Sequence, residues 1–144
     1  MDSNQLKVQL KDADHARKTV RTELEPHLAR SFSSIEVNRI LLAIEEAMVN
    51  IFEHGYGGPG PVTLNYELQK DRIRIVVDDE APLFDPTSGE LPNPESLGEA
   101  GRPGGYGIYL MRTIMHVQHQ SHSVGNRLIL EKRLPGLKNS PEES

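Results

Sequence analysis

A single domain mixing α-helices with β-strands is what three observations predict for this chain of 144 residues. Short runs alternate apolar with polar residues, the period of a half-buried strand, while longer runs repeat apolar residues every three or four positions, the period of an amphipathic helix. Two pairs of strand-like runs are joined by turn-forming residues, as in hairpins. The length suits one core, and neither an internal repeat nor a shift in composition marks a second unit.

The first element is a strand in which Leu6, Val8 and Leu10 alternate with Lys7 and Gln9. Its edge is free to pair across a dimer, or to be guarded by Lys7 and Lys11. From Ala13 to about Arg30 a helix follows, with Ala16, Val20, Leu24 and Leu28 every four residues, Asp12 and Asp14 as helix-start charges, and Pro26 weakening its end. Ser33 and Glu36 have capping-box spacing, so a second helix starts there and runs toward His54. Its core side carries Val37, Ile40, Leu41, Ile44, Met48 and Ile51; Arg39, Glu46, Asn50 and Glu53 take the other side. Leu42, Ala43 and Val49 interrupt that second side with apolar groups, which suggests a covered cleft. Gly55, Gly57, Gly58, Pro59, Gly60 and Pro61 end the helix.

A hairpin comes next. Val62, Leu64, Tyr66 and Leu68 alternate with polar residues, and after Lys70 and Asp71 the run Ile73, Ile75, Val77 leads into Asp78, Asp79 and Glu80. The stretch 85–104 holds four Pro and four Gly, too long and irregular for an ordinary connection, and reads as a flexible lid. Ile108, Met111, Ile114 and Met115 then recur at helical spacing. A last hairpin sets Val117 to Ser123 against Arg127 to Leu134 through Val124, Gly125 and Asn126. The domain is thus expected over 1–134, with a disordered tail at 135–144.

Composition narrows the function classes. A net charge of −5 with no stripe of Lys and Arg offers no field for nucleic acid or an anionic membrane, so a protein or small-molecule partner is favoured. There is no cysteine, hence no disulfide and no thiolate metal site. Met1 to Gln5 lacks the apolar core of a signal peptide and no run reaches spanning length, so a cytoplasmic protein is expected. Aromatic residues make up 5%, with no Trp, which argues for an aliphatic core and against base-stacking platforms for single-stranded nucleic acid.

Four groups of residues can carry chemistry, and each has an ordinary reading beside it. Glu46 and Asn50, four apart on one helix, can take a proton and complete the shell of a Mg²⁺ held mainly by phosphate and water, or simply face solvent. Asp79 at a strand end can accept from an exocyclic amine of adenine, or serve as a turn residue. Gly104, Gly105 and Gly107 ahead of a helix can let backbone N–H groups approach phosphates, or act as a hinge. His116, His119 and His122 span a helix end and a strand, where they scatter over different faces, which argues against zinc. Leu110 stands where the last Gly of a dinucleotide fingerprint belongs, and neither a P-loop nor a Gly-x-Ser-x-Gly elbow is present.

Taken in order, Glu46-Ala47-Met48-Val49-Asn50 with His54-Gly55-Tyr56, Val77-Asp78-Asp79 with Phe84-Asp85-Pro86, and Gly104-Gly105-Tyr106-Gly107-Ile108 resemble the three boxes of the GHKL ATPase superfamily. Within it the chain is most similar to the small bacterial anti-sigma factor serine kinases, and Gly125-Asn126-Arg127-Leu128 through Lys132-Arg133-Leu134 resembles their last hairpin. The likeness runs from about Leu6 to Leu134. It implies a two-layer α/β sandwich, a mixed and mostly antiparallel sheet covered on one face by about three helices, with ATP and Mg²⁺ between the helices and the lid. By position Asn50 matches the Mg²⁺ ligand, Glu46 the general base and Asp79 the adenine-binding Asp, with Gly105 and Gly107 beside the phosphates. His54, Gly55, Ala81, Gly104, Tyr106 and Ile108 complete the nucleotide-binding set by the same matching. The family often has Gly at two positions after the Asp where this chain has Ala81 and Leu83, and Thr where it has Asn126.

The resemblance implies a cytoplasmic, homodimeric serine/threonine kinase that phosphorylates a small STAS-type anti-sigma factor antagonist and binds a sigma factor. The alternative is a nucleotide-gated binding switch without phosphoryl transfer. A histidine kinase fits poorly. Too few residues precede Glu46 for a dimerising helical hairpin, and His15, the sole candidate acceptor, lacks a following acidic residue and Pro.

Overall fold

The computed structural model describes residues 4–82, 105–122 and 124–136. Its elements are β1 (Gln5–Leu10), α1 (Ala13–Leu28), α2 (Ser34–Asn50), a π-helical turn (Ile51–Tyr56), β2 (Val62–Leu68), β3 (Arg72–Asp79), α3 (Gly105–Ile114), β4 (His116–His122) and β5 (Gly125–Arg133). The expected lid at 85–104, including Gly104, lies outside the described residues, as do Leu83 and the tail beyond 136.

The five strands form one sheet in the order β1-β2-β3-β5-β4, and every described pairing is antiparallel. Alternation decides which side of it is covered. Val8, Leu10, Val62, Leu64, Tyr66, Ile73, Ile75, Val77, Leu128 and Leu130 share one buried face and one core with the helices' apolar stripes. Their neighbours Lys7, Thr63, Arg74 and Arg127 stay partly or fully exposed on the other. The result is the two-layer sandwich expected of these motifs.

Local signals place the helices. Asp12 caps α1, its Oδ1 accepting from His15 N at 2.7 Å, and the file Ala16, Val20, Leu24, Leu28 is buried throughout. Pro26 sits inside α1, which ends at Leu28. Ser33 caps α2, its Oγ accepting from Glu36 N at 3.3 Å. All six residues of the expected core side of α2 are buried. Helix α2 then packs between α1 and α3.

Two details depart from the sequence reading. α2 does not simply run to His54; it loosens at Ile51 into a π-turn that closes at Gly57, φ +73°. Gly105 and Gly107 lie inside the first turn of α3 rather than ahead of it.

Candidate functional site

Among the described residues three polar side chains are buried, Asn50, Asp79 and Asn126, at 2%, 7% and 3% exposure. All three line one pocket, with Ala47, Ile51, Met111, His119 and Leu128. Burying an amide or a carboxylate is costly without partners, so their convergence at the end of the sheet requires an explanation.

Each is delivered by a different element. Asn50 ends α2, one turn past Ala47 and two past Ala43, and shares the face these alanines bury. Its burial agrees with the covered cleft expected on this side of α2, while Glu46, on the same side, stays only half-buried. Asp79 ends β3 on its inward face, where its Oδ1 accepts from Ala81 N at 2.9 Å and from Asn126 Nδ2 at 2.9 Å. Asn126 is the second residue of β5, directly opposite Asp79 in register, and not part of the turn. Its Oδ1 lies 3.0 Å from His119 Nε2, on β4.

Backbone approach at this corner demands glycine. Gly125 has φ +106°, and a Cβ there would collide with the Asp79 carbonyl oxygen and come within 2.7 Å of Glu80 Cα. Behind Asp79, Ala81 is buried where the family often has Gly; a Cβ on Gly55 would sit 3.1 Å from the Ala81 Cβ. The methyl of Ala81 is therefore accommodated by the bare backbone of Gly55. Tyr56 completes the support, its hydroxyl donating to Pro61 O at 2.6 Å and accepting from Glu80 N at 2.7 Å. Burial pushes the Tyr56 phenol pKa up, partly offset by the Glu80 N–H.

Glu46, one turn before Asn50, lies half-buried on α2 outside the residues that line the pocket. Burial pushes its carboxyl pKa up; Arg17 opposes this, and Glu45 and Glu53 add to it. A carboxyl shifted in this direction is a better proton acceptor than an ordinary Glu. His54 and Gly55 fall in the π-turn, a feature common at functional sites. Gly105, Tyr106, Gly107 and Ile108 form the first turn of α3, whose backbone N–H groups have no intrahelical acceptor.

His119 faces the pocket, while the exposed His116 lies on the opposite face of β4. The sequence reading gave His119 and Asn126 no role. The available signal was alternation: Asn126, Leu128 and Leu130 occupy one face of β5, which puts a polar residue at the head of a buried file. Among the described residues no group of three or more His, Cys, Asp or Glu could hold a metal. A Mg²⁺ beside Asn50 fits this donor set only as an ion that draws most of its ligands from phosphate and water.

Comparison with known proteins agrees with this fold. The chain is 30% identical over 107 residues to serine-protein kinase RsbW of Halalkalibacterium halodurans, covering 69% of this chain and 64% of the relative. It is 31% identical over 108 residues to serine-protein kinase RsbW of Bacillus subtilis, covering 70% and 67%. To serine/threonine-protein kinase BtrW of Bordetella bronchiseptica it is 32% identical over 95 residues, covering 63% and 66%. The chain thus spans 64% of the length of the first of these relatives. Among the described residues no helix is long and apolar enough to cross a membrane. Residues 10–132, which include every element from the end of β1 to nearly the end of β5, match the model of the histidine kinase-like ATPase domain. With a buried Asp ending β3 and a buried Asn ending α2 in one pocket with Met111 of α3, and a match to the family model over residues 10–132, the chain belongs to the histidine kinase-like ATPase domain family.

Proposed function

We propose that this protein is an ATP-dependent serine/threonine protein kinase that phosphorylates a small STAS-type anti-sigma factor antagonist and also binds a sigma factor. The observation that carries the nucleotide part is the convergence of Asn50, Asp79 and Asn126, the buried polar residues among those described, on one pocket. Relatives named as serine kinases support the transfer part.

In this reading Asp79 accepts from the exocyclic amine of adenine, an interaction for which an acceptor-only carboxylate is suited. The apolar lining from Ala47, Ile51, Met111 and Leu128 takes the ring faces and excludes water. Asn50 offers its amide oxygen to Mg²⁺, and that ion, when bound, neutralises phosphate charge. Gly105 and Gly107 direct α3 backbone N–H groups toward the phosphates. Glu46 receives the proton of the attacking seryl hydroxyl, a role its raised pKa favours. The β1 edge supports homodimer formation, and the whole system is assigned to the cytoplasm.

The test is to incubate the protein with Mg-ATP and its candidate antagonist and to locate phosphoserine by mass spectrometry. Phosphate on the antagonist is expected; ATP binding without any phosphate transfer rejects the kinase and leaves a nucleotide-gated switch. Replacing Glu46 with Ala is expected to cut turnover about 100-fold or more while ATP affinity is kept. Full turnover in that variant removes Glu46 from the chemistry.

A further inference from the structure

A carboxamide presents one acceptor oxygen and two donor hydrogens, and the surroundings of Asn126 decide which way it points. Its nitrogen faces three oxygens: Asp79 Oδ1 at 2.9 Å and the carbonyls of Ala81 and Pro82 at 3.3 Å each. A carbonyl oxygen and a carboxylate both accept, so turning the amide over would set its own oxygen against all three. The reverse side therefore presents Oδ1 to β4, where His119 Nε2 stands 3.0 Å away. His119 must then donate from Nε2. The chain His119 to Asn126 to Asp79 has one direction of donation throughout.

That direction has a consequence for the carboxylate. Asp79 Oδ1 takes both the Asn126 amide, from β5, and the Ala81 N–H, from the turn after β3, and the two donors hold its plane at one angle. Oδ2 is then the oxygen the carboxylate offers to a ligand. Asn126 spends its donors on Asp79 and on the turn after β3, so it contributes by orientation.

We infer that Asn126, locked by His119, is a positioning residue that gives the pocket its preference for a purine bearing an exocyclic amine, by fixing the angle at which Asp79 receives that donor. The inference rests on the nucleotide reading above and deepens it. Removing Asn126 leaves Asp79 in place but held only by the Ala81 N–H, which alone does not fix the angle of its plane.

The experiment compares ATP with purine riboside triphosphate, which lacks the amine, by calorimetry on the full chain with Mg²⁺. Wild-type protein is expected to prefer ATP about tenfold or more. In Asn126→Ala the preference falls toward unity, chiefly through weaker ATP binding, because the amine-free compound never used the oriented carboxylate. His119→Ala shifts the preference the same way. His119→Gln restores it, since a Gln amide can again donate to Asn126 Oδ1. The ring nitrogens of His119, followed by ¹⁵N NMR, should show hydrogen on Nε2 in the wild type and lose that bias in Asn126→Ala. Should Asn126→Ala fail to fold, the His119 pair carries the same comparison from a partly exposed strand. An unchanged preference in the variants, or an equal loss of both nucleotides, overturns the inference while leaving ATP binding intact. Wild-type protein that binds neither compound overturns the nucleotide reading itself, and this inference with it.

Discussion

Asp78 points away from the helices and meets Arg127, with Nε to Oδ1 at 2.7 Å and Nη2 to Oδ2 at 3.1 Å; Asp79, the next residue, points toward the helices and meets Asn126. Both partners sit directly across on β5, in consecutive register. The outward pair is an ordinary ion pair with 33% and 41% of the two side chains exposed, and water screens it. The inward pair joins a carboxylate to a neutral amide in a place water reaches poorly. A cation against Asp79 would satisfy its charge and compete with any ligand donor, whereas a neutral amide orients the group and leaves its charge available. Two identical side chains thus acquire different surroundings, one screened by water and one buried at a pocket, from strand alternation alone.

If the corner beside Asp79 is built to a tight geometry, the largest effect belongs to Gly125. Gly125→Ala adds a Cβ into the Asp79 carbonyl at a positive φ, and is expected to cost about 2–4 kcal/mol in denaturant unfolding. Gly57→Ala is the control, since it shares a positive φ but its Cβ would meet nothing within 4 Å. It should cost about 1–2 kcal/mol, the conformational penalty alone. Equal losses at the two glycines would mean that close approach at Asp79 contributes nothing. Next is Tyr56→Phe, which removes the hydroxyl joining Pro61 O to Glu80 N and should cost about 1 kcal/mol in the same assay. No loss there would release the turn after β3 from the loop that follows the π-turn.

How much of this was legible from residues alone depends on the range of the signal. The file Ala16, Val20, Leu24, Leu28, the Ser33 cap and the alternation in β2 and β3 are local patterns, and the structure has them where they were expected. Asn50 was legible in part. Its spacing from Ala43 and Ala47 puts it on a buried face, but only the packing of α3 against α2 makes that face interior. The pairing of Asp79 with Asn126 was hidden for a different reason. Forty-seven residues separate them, and nothing local specifies that β5 enters the sheet between β3 and β4. The π-turn at Ile51–Tyr56 carries no apolar period of its own and so left no trace in the sequence reading.

Glu46 supplies a third acid to set beside the two on β3, and its signature is a slope in pH. Burial raises its folded pKa above the ordinary value of 4.5, so the folded state holds the proton more tightly than the unfolded chain does. Stability then falls as pH rises from 4.5 through the raised value and levels off above it. Glu46→Gln abolishes that fall: relative to the wild type it gains stability across the window, and the gain is constant at higher pH. A difference between the two proteins that does not change with pH would show that the carboxyl is no more buried than an ordinary surface Glu.

The smallest effect is expected on the outward face. A double-mutant cycle of Asp78→Ala and Arg127→Ala should give a coupling of about 0.2–1 kcal/mol in unfolding free energy, weakening as salt is raised from low to molar concentration. ATP affinity should be unchanged in either variant, because neither side chain lines the pocket that holds Asn50, Asp79 and Asn126. A coupling several-fold larger, or a loss of nucleotide binding in Asp78→Ala, would erase the distinction between the two aspartates. It would mean that the Arg127 fork also sets the backbone position of its neighbour, and that orientation at Asp79 is shared between both faces of the sheet.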